Sequence, residues 1–217
     1  MINICSPSLN PCDSYGLIVR KLEQYIDADV QLSDHQRPRQ IPAHDGSIFC
    51  GWPSEFADYS AWCSQGPRIA LTMWESSKLP NGWANILNAM DAVITPSHFC
   101  ANVFAEAGVT TPIHVAPLGV SEEYKPTRRT PGEPIRFLAF LDRGVRKGGY
   151  AAFAMFKRAF GEDKRYRIVL KQRRRQESIE LFPVGNVELV QDNLSESELV
   201  ALYTSCDVLI NPCAGEG

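Results

Sequence analysis

Short runs of β-branched and apolar residues alternate with stretches of helical periodicity along this chain, and the alternation restarts after a proline-rich connector. That rhythm constrains the fold more than any other feature. Strands that alternate with helices form parallel sheets covered on both faces. Asn3–Ser6 reads as a first strand and Tyr15–Ile26 as a helix, with Leu17, Ile18, Leu22, Tyr25 and Ile26 on one face. Further strands are expected at Asp29–Ser33, Ser47–Cys50, Arg68–Met73, Asp91–Thr95 and Ile113–Ala116, with helices at Asn81–Met90 and His98–Ala107. Ser97 is placed to cap the latter helix and Gly108 to end it. His35–Gly46, polar and rich in Pro and Arg, reads as a loop.

The connector is Ser121–Pro134, which holds Pro126, Pro131 and Pro134. Beyond it come strands at Ile135–Phe140, Arg167–Lys171, Asn186–Val190 and Val208–Asn211, and helices at Gly149–Phe160 and Glu196–Cys206. Ser195 and Glu198 have the spacing of a capping box for the last helix. The expected architecture is α/β: two Rossmann-like, doubly wound domains facing a cleft, 1–120 and 135–217, joined by 121–134. Ligands of such sheets sit outside the C-terminal ends of the strands.

Charge separates the same two parts. Residues 1–120 carry 6 Lys and Arg against 11 Asp and Glu, whereas residues 121–217 carry 16 against 14. The more basic second half suits a phosphate-bearing ligand. The seven cysteines are scattered and contain no C-x-x-C pair, which argues against a disulfide framework and a zinc site. Free thiols suit a reducing cytoplasm, and that is the expected location. The N-terminus does not read as a signal peptide, and no apolar run is long enough to span a membrane. His35, His44 and His114 lack metal-ligand spacing.

Two segments carry chemistry. In Phe140–Gly149 a strand ends, a loop with Arg143, Arg146 and Lys147 follows, and a helix begins. Helix-start N–H groups bind anions, and the cations add charge-assisted hydrogen bonds to phosphate. A solvated basic turn is the plain alternative. In Asn211–Gly217 a carboxylate, Glu216, sits in a glycine loop after the last strand, where the backbone can approach a ligand closely.

Together, in this order and spacing, these segments resemble the retaining glycosyltransferases of the GT-B fold, in the large GT4-like group. The resemblance extends over Asp91–Ser97, Val115–Val120, Arg143 with Lys147 and Gly148, Asn186–Val190, Leu199–Tyr203 and Cys206–Gly217. It implies transfer of a sugar from a nucleotide diphosphate sugar to an acceptor hydroxyl, with retention and without a metal or other cofactor. It implies that Arg143 and Lys147 grip the donor diphosphate, with Gly148 beside them. Glu216, next to Gly215, would contact the donor sugar, and Leu189 and Val190 would lie beside the base. The family's early glycine loop corresponds to Asp13–Gly16, where only Gly16 remains of the usual paired glycines. The family's second glutamate, eight positions after the first, would fall past Gly217. The C-terminal domain is therefore expected to be incomplete, with weak or absent binding of nucleotide sugars.

Trp74 and Glu75 follow a strand and are the candidates for contact with the unknown acceptor; Trp83 flanks the same loop. Core packing is the plain reading of the tryptophans, and a surface carboxylate that of Glu75. The run Lys171–Gln176 reads most simply as solvated charge; the alternatives are that its three arginines face the donor cleft, or that they touch an anionic acceptor such as lipid or nucleic acid, a peripheral membrane contact included. The interleaved aromatics of single-strand nucleic-acid binding are missing from it. Two other functions compete: a non-catalytic binding module that keeps the fold, and, last, a nucleotide-sugar epimerase.

Overall fold

The structure is a computed structural model of the chain. It describes residues 1–10, 13–34, 45–57, 66–127, 130, 132–141, 146–172 and 185–215. Two α/β units are present, Met1–Leu118 and Gly119–Gly215.

Unit 1 runs β1 (Ile2–Ser6), α1 (Ser14–Tyr25), β2 (Val30–Asp34), β3 (Gly46–Cys50) and a 3-10 turn at Pro53–Glu55. It continues with β4 (Arg68–Leu71), α2 (Trp83–Asn88), β5 (Ala92–Thr95), α3 (His98–Glu106) and β6 (Ile113–Val115). Its six strands pair in the order β2-β1-β3-β4-β5-β6, all parallel. Successive strand residues feed opposite faces, as the pleat requires. Cys5, Phe49, Ala70 and Val93 pack with Leu87, Cys100, Val103 and Phe104 on one side. Ile4, Cys50 and Leu71 pack with Val19 on the other, where Ile18 and Leu22 of α1 join them. Burial on both faces explains why these strands read as apolar runs rather than alternating ones.

Unit 2 runs β7 (Ile135–Phe140), α4 (Gly149–Phe160), β8 (Tyr166–Lys171), β9 (Val187–Val190), α5 (Glu196–Thr204) and β10 (Val208–Leu209). Its strands order as β10-β7-β8-β9, again all parallel. Helix α4 lays Ala152, Phe156 and Phe160 against the sheet at helical spacing. Phe156 and Phe160 meet Phe137 at ring-centroid distances of 5.4 and 5.2 Å. Each fully buried Phe contributes about 1.5–3 kcal/mol. The predicted connector belongs with this unit. Thr127 donates its hydroxyl to the Thr204 carbonyl at 2.6 Å, and Tyr124 meets Tyr203 edge-to-face at 5.5 Å.

The predicted strands and helices are present, with small shifts, whereas residues 35–44 of the predicted His35–Gly46 loop lie outside the described residues and Gly46 opens β3. Helix α2 starts at Trp83 rather than Asn81, because Gly82 adopts a left-handed conformation (φ 84°) just before it. The predicted helix at Glu196–Cys206 ends at Thr204. The 3-10 turn was not foreseen; three residues are too few for a periodic signal. No described helix is long and apolar enough to cross a membrane.

Cys5, Cys50 and Cys100 are buried and outside any described disulfide, whereas Cys206 and Cys213 are half-exposed. Burial, reinforced by the charge of Glu55, pushes the Cys50 thiol up to about 12. Reactivity needs both access and thiolate, so iodoacetamide at about pH 8 should label Cys206 and Cys213 at least tenfold faster than Cys50. Equal labelling, mapped by mass spectrometry, would show that the end of β3 opens readily. The same shift stabilises the folded state below about pH 9, and that contribution is lost as pH rises toward 12.

Candidate functional site

In unit 2 the chain passes outward from β7 through β8 to β9, then returns to the other side of β7 as β10. The gap between β7 and β10 is thus a topological switch point, where connections leave the sheet in opposite directions. The loops flanking it are the two segments that the sequence singled out. They touch within this unit. The Ala214 N–H donates to the Arg146 carbonyl at 2.9 Å. The Arg146 guanidinium donates through Nη1 to the Gly215 carbonyl at 2.9 Å.

Two glycines make this approach feasible. Gly148 has φ 69°, and a Cβ there would lie 2.4 Å from the Pro212 carbonyl oxygen. A Cβ on Gly149 would lie 2.3 Å from the Phe140 carbonyl oxygen and 2.7 Å from the Leu141 Cα. The start of α4 is therefore pressed directly onto the C-terminal ends of β7 and β10. Only a residue without a side chain fits either position.

The helix termini differ in a way that bears on anions. Asp13 caps α1 with its carboxylate, which accepts the Gly16 N–H at 2.8 Å. Ser97 caps α3 by accepting the Cys100 N–H at 3.1 Å. Ser195 and Glu198 form the expected capping box on α5. Helix α4 has Gly148 at its cap and, among the described residues, no side-chain acceptor for its first N–H groups. Half-buried Arg146 and Lys147 immediately precede it. An uncapped helix start beside two cations is an electropositive anion cradle. At α1 the negative charge of Asp13 already fills the corresponding place.

The other expected site residues are placed as follows. Arg143 and Glu216 lie outside the described residues. Leu189 and Val190 are half-buried on β9, two strands from β7, and the Val190 carbonyl accepts the Gln172 N–H at 2.9 Å. Gly16, Trp74 and Glu75 belong to unit 1. Gly16 is buried, and the space of its missing side chain is taken by the Asn10 carbonyl oxygen, 2.0 Å from an ideal Cβ. Trp74 packs edge-to-face on buried Trp83 at 4.8 Å and donates Nε1–H to the Lys78 carbonyl at 2.7 Å. Glu75 lies near the start of α1: burial raises the Tyr15 phenol, and the charges of Cys50, Glu75 and Glu55 push the same way.

Two features escaped the sequence. Arg146 was one of three cations in its loop, and nothing in the sequence marked it as the one that binds Gly215. Lys171 read as the start of a solvated run, but it is only 5% exposed and Gln172 only 1%. The Lys171 ammonium donates to the carbonyls of Gln172 (2.8 Å) and Asp192 (2.5 Å), which ties the exits of β8 and β9 together. Its place as the last residue of a buried strand was the available signal. Arg173–Gln176 lie outside the described residues.

No protein-family model matches the chain, and no match is found among curated proteins. Among solved structures the chain is similar to one in the Glycosylation Associate Protein (Gap123) complex from Streptococcus agalactiae, at 12% identity and TM-score 0.44. It is also similar to OtsA in its apo form, at 10% identity and TM-score 0.49. The matches cover 78% and 79% of this chain but 38% and 53% of those chains, respectively. Likeness at this level assigns neither family nor chemistry.

The close approach at Gly148 can be tested. Gly148→Ala should destabilise unit 2 by about 2–4 kcal/mol, from left-handed strain plus a backbone clash. Gly132 also has positive φ (87°) but nothing within 4 Å of an ideal Cβ. Gly132→Ala should cost about 1 kcal/mol. Equal losses in denaturant titrations would mean that the loops do not touch in solution.

Proposed function

We propose that this chain is a glycosyltransferase of the GT-B type, GT4-like, whose unit 2 holds the diphosphate of a nucleotide diphosphate sugar. The observation that carries the reading is the contact between the basic loop after β7 and the glycine loop after β10, formed over the uncapped start of α4. Such a cradle suits a ligand with two adjacent phosphates. The helix start and Lys147 would meet one, and Arg143 the other.

The chemistry that follows is electrostatic. As the glycosidic bond breaks, negative charge builds on the departing diphosphate, and cations fixed there in advance lower the barrier. Glu216 would steady the donor sugar. Retention would follow if the acceptor hydroxyl attacks on the face the diphosphate leaves, passing its proton to a leaving-group phosphate oxygen. Glu75, with Trp74, is the unit 1 candidate for orienting that hydroxyl. No metal is required, because the cations and the helix N–H groups carry the countercharge. The buried cysteines Cys5, Cys50 and Cys100, outside any described disulfide, suit a reducing cytoplasm.

One observation favours a second reading. The β1–α1 loop is folded on itself, with the Asn10 carbonyl in the space beside Gly16. A module that binds a nucleotide without transferring sugar would tolerate that closure.

Titration calorimetry with UDP, GDP and ADP tests the donor site. One of them should bind, if only weakly, and Lys147→Ala should weaken it further by about tenfold, the loss of one charge-assisted hydrogen bond. In a sugar-transfer assay the same variant should lower kcat by about 100-fold. Binding without transfer would favour the second reading. Undiminished affinity and turnover in Lys147→Ala would remove that residue from the site.

A further inference from the structure

Of the two cations that immediately precede α4, the first has a definite place. Arg146 turns onto the loop after β10 and grips it twice. Its carbonyl accepts the Ala214 N–H and its guanidinium donates to the Gly215 carbonyl, both at 2.9 Å. The Gly215 carbonyl also accepts the Cys213 thiol, at 3.1 Å. One carbonyl oxygen is therefore held from two sides. Main chain and side chain of a single residue close on two successive residues of the loop. Pro212 anchors the other end of the turn, because its carbonyl oxygen occupies the space beside Gly148.

This clasp has more to do than a tie in a packed core. Asn211 and Ala214 are exposed, and Pro212, Cys213 and Gly215 are only half-buried. A loop with so little apolar burial opens locally at low cost. A hydrogen bond from a charged donor is stronger than one between neutral groups, so the guanidinium is the firmest of the ties. A loop ordered before its ligand arrives avoids the entropy loss of ordering on binding. The loop leads directly into Glu216, the carboxylate proposed to steady the donor sugar.

We propose that Arg146 is a positioning residue of the donor site, acting on the sugar of a nucleotide diphosphate sugar through the loop Cys213–Gly215. The role rests on the glycosyltransferase reading and divides the basic loop by task. Lys147 and the start of α4 act on phosphate, so they serve any nucleotide diphosphate alike. Arg146 acts through a loop that only the attached sugar meets. It therefore sets the preference for the intact donor over the nucleotide left after transfer, which favours release of that product.

Two measurements on the full chain test this. The first is iodoacetamide labelling of Cys213, read by mass spectrometry against Cys206 in the same molecule. Arg146→Met should keep its thermal transition, speed labelling of Cys213 about tenfold and leave Cys206 unchanged. Arg146→Lys should restore the slow rate, since an ammonium still donates to a carbonyl. The second is calorimetry with UDP, GDP and ADP, and with UDP-glucose, UDP-N-acetylglucosamine, GDP-mannose and ADP-glucose. The wild type should bind one conjugate about tenfold more tightly than its free nucleotide. Arg146→Met should erase that preference with free-nucleotide affinity kept within about twofold, and Arg146→Lys should recover most of it. Lys147→Ala should weaken nucleotide and conjugate equally. Unchanged Cys213 labelling in Arg146→Met, no preference for any conjugate in the wild type, or equal losses of nucleotide and conjugate in Arg146→Met would each overturn the role and leave the donor reading standing. No binding of any nucleotide to the wild type would overturn the donor reading, and the role with it.

Discussion

The arrangement of unit 2 depends on a contact that only glycine permits. Helix α4 begins against the carbonyl ends of two parallel strands, with Gly149 on Phe140 and Gly148 on Pro212. Any side chain at either position would push the helix away from the sheet. Because the helix starts there, its first N–H groups emerge between the loops after β7 and β10. Because those loops are bonded to each other through Arg146, that guanidinium is held beside the helix start rather than dispersed in solvent. The geometry of the electropositive cradle is thus a consequence of packing.

The two units use the same sheet-and-helix plan in opposite ways. Unit 1 also has a switch point, between β1 and β3. There the loop closes on itself: Asn10 fills the space beside Gly16, and Asp13 supplies a built-in anion to the start of α1. A phosphate has no electrostatic reason to go there. In unit 2 no described side chain caps the equivalent helix start. This contrast matches the charge division along the chain, where the acidic balance lies before residue 120 and the basic one after it.

Much of the fold was legible because its signals are local. Apolar β-branched runs such as Arg167–Lys171 mark strands buried on both faces, and Ser97 and Ser195 announce their helices through cap chemistry. The site was legible in part: Lys147, Gly148 and Gly215 come from loops that structure brings together. What stayed hidden depends on tertiary position. Lys171 closes the strand where the sequence expected it to, but whether its ammonium reaches solvent or turns back onto the carbonyls of Gln172 and Asp192 depends on how the exits of β8 and β9 pack. Which cation holds the terminal loop turns on side-chain reach, so Arg146 could not be separated from its neighbours.

The central claim is that the start of α4, together with the loop after β10, receives a diphosphate. The most direct measurement is an amide NMR titration of the chain with UDP, GDP and ADP in turn. The account predicts that the active nucleotide shifts the N–H resonances of Lys147 to Ala151 and of Ala214 and Gly215, while Gly16 and its neighbours at the start of α1 stay unmoved. Shifts confined to α1, or none at α4 with any nucleotide at saturating concentration, would contradict it.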